Sequence, residues 1–165
     1  MATMFLKFEP ELEGESTQDG FQKTIEVDSY AHSVVHAVQA SKSGVGSLSG
    51  GSCAHSAINI AKRMDKTSPV LMLRASDGKR FDKATLTILR ANSDGKLLPY
   101  MEIVLEHVIV ADYQQSGITD GVPVENVSLG YGKISMTYKA SDVPGKASGN
   151  LVKFWDLTMA KGSDS

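Results

Sequence analysis

A single cysteine, Cys53, occurs among 165 residues, so no disulfide within the chain can staple the fold. An excess of basic charge is also missing. Lysine and arginine total 17 against 19 aspartates and glutamates, a formal net charge of -2. That balance lacks the electrostatic footprint of a nucleic-acid binder, and no nucleic-acid partner is expected. No run approaches the roughly 20 apolar residues of a membrane-spanning helix, so no membrane insertion is expected. The opening MATMFLKFEPELEGE has neither the basic start nor the apolar stretch of a secretory signal. The expectation is synthesis in the cytoplasm without a signal peptide.

What the chain does contain is 41% hydrophobic residues, enough to order a core rather than remain disordered. Its length suits one domain over residues 1–165. Most apolar segments alternate with a period of two, the mark of half-buried strands. Met4, Leu6 and Phe8 share one face, and Phe21, Lys23, Ile25 and Val27 share another. Further strands are expected over about 31–38, 54–63, 81–90, 98–112, 124–139 and 150–159. Residues 107–111 are apolar on both faces, which predicts cover on both sides. Residues 39–53, QASKSGVGSLSGGSC, are rich in glycine and serine and read as a flexible loop. The end, 160–165, reads as a polar, frayed tail.

Two signals stand out from the alternation. Thr67-Ser68-Pro69 looks like a helix start, with Ser68 as N-cap, Pro69 in the first turn and Gly78 as the stop. Within 124–139 the apolar positions switch from odd (Val127, Leu129, Tyr131) to even (Ile134, Met136, Tyr138). A strand cannot change its buried face without an extra residue or a bend, so a bulge or a barrel corner is predicted at Gly130–Gly132. The fold class is therefore mainly β: a small β-barrel of two sheets with one short flanking α-helix at about 68–77.

Candidate chemistry is sparse. His32 and His36 have the spacing of two ligands on a helix, but on a strand they stand roughly 13 Å apart and lack a third ligand. Cys53 and His55 have no orienting partner nearby in sequence for nucleophilic catalysis. The glycines at 44–51 lack the strand–loop–helix context of a phosphate loop. Glu102 and Glu106 lie too far apart on a strand, at roughly 13 Å, for paired acid–base work. No catalytic, cofactor-binding or metal-ligating residue is assigned.

The order of features resembles one known family. The run MDKTSPVLMLRASDGKRFDKATLTILRA is similar to the centre of the haemolysin-coregulated protein (Hcp) family. Met4-Phe5-Leu6-Lys7-Phe8 is similar to its opening strand, and Gly14-Glu15-Ser16 to its first-loop signature. Ile25 to Tyr30, Tyr100 to Val110, Glu125 to Leu129, Ile134 to Tyr138 and Lys153 to Asp156 resemble its other strands in order. Tyr30-Ala31-His32 stands where family members often carry tryptophan, so cargo preference does not carry over.

The resemblance implies a structural subunit of the type VI secretion inner tube, not an enzyme. Such subunits form homohexameric rings that stack inside contractile sheath proteins, beneath a valine-glycine-repeat (VgrG) spike. The tube is expelled on contraction and can carry small effectors in its lumen, so the protein is secreted or injected. Candidate ring-stacking residues are Gly14, Glu15, Ser16, Gly44, Gly46 and Gly50. Candidate subunit contacts are Leu86, Leu89, Val127 and Leu129, and candidate lumen residues are Tyr30, Ala31 and His32. The family's catalytic C-terminal extensions find no room after Met159, which predicts no intrinsic catalysis. The alternatives are a small β-barrel ligand-binding module or enzyme, or a phage-tail-tube-like protein. A ligand module would need a concave apolar pocket in the barrel.

Overall fold

The computed structural model describes residues 3–39, 49–92, 95–117, 119–139 and 150–163. Twelve strands are described: β1 (Met4–Glu9), β2 (Ile25–Glu26), β3 (Ser29–Ala31), β4 (Val34–Gln39), β5 (Ser49–His55), β6 (Ile58–Arg63), β7 (Phe81–Ala91), β8 (Leu97–Ser116), β9 (Val124–Gly130), β10 (Lys133–Tyr138), β11 (Leu151–Asp156) and β12 (Lys161–Gly162). One helix, α1 (Ser68–Asp77), lies between β6 and β7 and packs across β8.

Long β8 holds the barrel together. Its first half pairs with β7 and β10, and its second half pairs with β9. β9 in turn pairs with β6, and β6 with β3. The segment through β2 and β3 passes from β1 to β6, with Val27 N–H donating to Met4 C=O and Asp28 N–H to Ala61 C=O. The circuit β1-β7-β8-β9-β6-β3/β2 therefore closes into a barrel. Its interior is filled by side chains such as Leu6, Phe8, Ile60, Leu86, Ile103 and Leu129. β10 and β11 extend one sheet beyond this circuit.

The predicted corner at Gly130–Gly132 is present, and β8 turns with it. Buried positions on β8 pass from Ile103 and Leu105 to Val108 and Val110, while those opposite pass from Ile134 to Leu129. The change falls at His107, whose φ of 57° lies in the left-handed region, and Gly132 N–H donates to Glu106 C=O there. Val108 and Val110 are buried but His107 and Ala111 are exposed, so 107–111 is covered on one face only.

Several local expectations need correction. Phe21 to Thr24 is a turn, not a strand: Lys23 has φ 61° and the Thr24 hydroxyl donates to Phe21 C=O at 2.6 Å. Ile25 and Val27 still enter the core. The N-cap of α1 is Thr67, and the Ser68 hydroxyl instead accepts from Asp65 N–H at 3.0 Å. Gly78 ends the helix at φ 65°, as expected.

The strands expected over 31–38 and 54–63 each break in two. The chain leaves the barrel at Ser33, forms a separate β4–β5 ribbon and returns at Ser56, where Ser56 N–H donates to Ser33 C=O. Residues 49–53 of the expected loop are thus strand β5, and 40–48, with Gly44 and Gly46, lie outside the described residues. The expected frayed tail pairs as well, Lys161 with Asp156 and Gly162 with Trp155.

Candidate functional site

The first loop is held down rather than projecting. Gly14 N–H donates to Lys23 C=O at 2.7 Å and Ser16 N–H to Thr24 C=O at 3.1 Å. Gly14 and Ser16 are buried, and a side chain at Gly14 would meet Thr24 O at 2.1 Å. Glu15 alone of the three faces solvent, and its carboxylate accepts from Lys66 N–H at 3.0 Å. This ties the loop to the approach to α1.

Leu86, Leu89, Val127 and Leu129 do not lie on an outer surface. None is more than 4% exposed, and Leu86, Val127 and Leu129 belong to this chain's own core. Their apolar area is already removed from water, so they offer a neighbouring copy almost nothing further to bury.

The uncovered apolar surface lies elsewhere. Tyr138 on β10 stands opposite Leu151 on β11, and Met136 lies two residues along on the same side as buried Ile134. Met136, Tyr138 and Leu151 thus continue the core-facing side of the sheet past its cover, and all three are exposed. β12 pairs with β11 at Trp155 and Asp156, and Ser163 N–H donates to Phe154 C=O, so among the described residues the edge from Leu151 to Lys153 is open. Met72 and Leu73 form a second exposed apolar pair on α1.

The candidate lumen residues lie where the ribbon leaves the barrel. Tyr30 and Ala31 pair with Ile60 and Asn59 and are exposed. His32 turns into an aromatic cluster: its Nε2 lies 2.7 Å from the Tyr131 hydroxyl, and its ring centroid is 6.0 Å from that of His55. His55 stacks on Trp155 with 6.3 Å between centroids and 12° between planes. Burial, then the neighbouring His55, holds His32 below the usual imidazole value. Sequence reasoning did not connect these groups; the one local signal was an aromatic residue between the two corner glycines.

Other candidates remain apart. His36 is exposed on β4, opposite Cys53, and is separate from the His32 cluster. Glu102 is bonded to Lys139 at 2.8 Å and Glu106 to Lys133 at 2.9 Å, so each carboxylate is neutralised locally. Among the described residues, no group of three or more His, Cys, Asp or Glu is arranged to hold a metal.

Sequence reasoning also missed a buried ionic cluster. Lys62 Nζ lies 2.6 Å from Glu125 Oε1 and 3.1 Å from Asp65 Oδ1, and donates to Arg63 C=O. The Tyr113 hydroxyl donates to Glu125 Oε2 at 2.7 Å, and Asp65 Oδ1 accepts from Thr67 N–H at the start of α1. The cluster fastens the helix entrance to β6 and β9. Two clefts, of about 650 and about 260 Å³, lie outside the barrel. The larger is lined by Glu15, Asp19, Glu26, Asp28 and Asp65 with one arginine, Arg63.

Residues 5–138 match the family model described as "Type VI secretion system effector, Hcp". The chain is 31% identical over 103 residues to Protein hcp1 of Pseudomonas aeruginosa, covering 61% of this chain and 62% of that protein. It is 27% identical over 139 residues to the Major exported protein of the same organism, covering 80% and 78%. A solved type six secretion system protein superposes with a TM-score of 0.87 at 29% identity, covering 99% of this chain and all of the other. Hcp1 from Salmonella typhimurium superposes at 0.76 with 24% identity, covering 99% of this chain and all of the other, a likeness of fold.

Proposed function

Because the chain belongs to the Hcp family of type VI secretion, we propose that it is the structural subunit of a type VI secretion inner tube. In this reading, copies join head-to-tail into hexameric rings, and rings stack within contractile sheath proteins beneath a VgrG spike. Contraction expels the tube, with small effectors carried in the lumen and no chemistry done by the subunit. The observation that carries the reading is the open edge of β11 with its uncovered strip of Met136, Tyr138 and Leu151. An open edge supplies unpaired backbone groups and the strip supplies apolar area, and a second copy can satisfy both. The filled barrel argues against a ligand module, whose pocket would need the space that Leu86, Ile103 and Leu129 occupy.

Stacking falls to the β4–β5 ribbon, which stands apart from both barrel sheets and exposes Val34 and Val35. Negative-stain microscopy of the purified chain tests the reading. Rings with a central hole are expected, and a uniform population of 17.7 kDa monomers at high concentration rejects it.

A further inference from the structure

Among the described residues the β4–β5 ribbon pairs only with itself, so its position depends on how its base is seated. Side-chain contacts at that base come from His32, before β4, and His55, at the end of β5. They meet Tyr131 at the barrel corner and Trp155 on β11. The Tyr131 hydroxyl donates its one proton to Ser56 C=O at 2.8 Å. It must therefore accept from His32, so His32 carries its proton on Nε2 and the neutral ring leaves Nδ1 bare. His55 Nδ1 is buried with no hydrogen-bond partner.

We propose that His32 and His55 form a proton-sensitive latch that seats the ribbon on the barrel, closed when both rings are neutral and released in mildly acidic solution. Protonation puts a charge and a second N–H on each ring. On His55 the Nδ1–H of the cation would be buried without an acceptor, which costs the bond it cannot make. On His32 the charge would stand 6.0 Å from the other ring, in a half-buried site. Among the described residues Tyr131 is the other titratable group against the pair; burial pushes its hydroxyl up to about 12, so it stays neutral throughout.

The direction follows from linkage. A histidine held below its ordinary value when seated takes up its proton more readily when released. Seating is therefore complete above the ordinary imidazole pKa and is lost as pH falls below it. Its consequence for ring stacking rests on the tube reading; the latch itself belongs to the single chain.

Trp155 is the chain's only tryptophan and reports on the seat directly. The full-length protein is compared at about pH 7.5 and about pH 5.5, on either side of the imidazole range, by tryptophan emission and by amide exchange over residues 49–55 corrected for intrinsic rates. Protection of the ribbon is expected to fall at least about threefold at the lower pH, together with a change in emission. His32→Gln and His55→Phe, each checked for folding by circular dichroism, should both lose the pH response. Unchanged ribbon protection in the parent, or a parent-like response in both variants, overturns the latch. Microscopy of the same samples at neutral pH separates the two proposals: rings with a pH-insensitive ribbon reject only the latch, and a titrating ribbon without rings rejects only the tube.

Discussion

Lys62 and Glu125 stand directly opposite each other on β6 and β9, and their charged ends meet at 2.6 Å with both side chains sealed from solvent. The pair is 1% and 0% exposed and shares its charges with Asp65 and Tyr113. Two buried ions are costly to dehydrate, and their attraction compensates only while both are present.

Removing one partner should therefore hurt far more than removing both. Lys62→Met or Glu125→Leu alone is expected to cost about 3–5 kcal/mol of unfolding free energy. The double variant should recover most of that loss. Urea denaturation of the four proteins measures the cycle, and equal losses in single and double variants would refute it.

Gly14 is a steric requirement of the first loop. Gly14→Ala places a methyl 2.1 Å from Thr24 O and 2.5 Å from its carbonyl carbon, so the loop must move off β2. A loss of roughly 3 kcal/mol or more is expected, in the range of a severe packing defect. Gly20 has open space around it but a φ of 77°, so Gly20→Ala should cost only about 1 kcal/mol. Thermal denaturation of the two variants gives the ranking.

Alkaline pH should loosen the fold through two tyrosines. Burial, then the hydrogen bond to Glu125, pushes the Tyr113 hydroxyl up to about 12, and burial does the same to Tyr131. A raised value in the folded state means the unfolded chain ionises first. Stability from these groups is thus fully present below about 10, the ordinary tyrosine value, and is lost as pH rises toward 12. Ultraviolet titration should show two of the five tyrosines ionising late, and Tyr113→Phe with Tyr131→Phe should abolish the late phase.

Leu151 offers a test of the ring contact that spares the fold. It is 58% exposed, so Leu151→Asp should change stability by no more than about 0.5 kcal/mol. The same change puts a carboxylate into the apolar strip and should shift the protein from rings to smaller species in light scattering. Unchanged mass at unchanged stability would remove this strip from the interface.

Ring stacking is tested by deleting residues 44–51. Single rings are expected to survive because the ribbon lies outside the barrel circuit. Tube length in micrographs should fall, and parent-length tubes would show that the ribbon does not stack rings.

Alternation along the chain was enough to reveal the β architecture and the change of face at Gly130–Gly132, and the start and stop residues around Pro69 and Gly78 revealed the helix, because these depend on near neighbours. The N-cap is Thr67 rather than Ser68, and neither hydroxyl caps the first turn: Ser68 accepts from Asp65 N–H and Thr67 donates to the Asp65 carboxylate, partners that composition does not reveal. Ribbon strand β5 was hidden because Ser49, Gly50 and Gly51 carry no apolar signal, and their pairing with β4 is a backbone matter.

The small, disulfide-free, mainly β character of this protein was set by sequence alone, since one cysteine and a period of two leave few other outcomes. Tertiary structure decided which faces are covered. A period of two shows that Leu86 and Leu151 each lie on some face, but only barrel closure buries the first and leaves the second bare. Pairing of β6 with β9 brings Lys62 to Glu125, and pairing within the β4–β5 ribbon brings His55 to His32. Pairings between distant segments depend on the register of whole strands, and no local run of residues encodes that register.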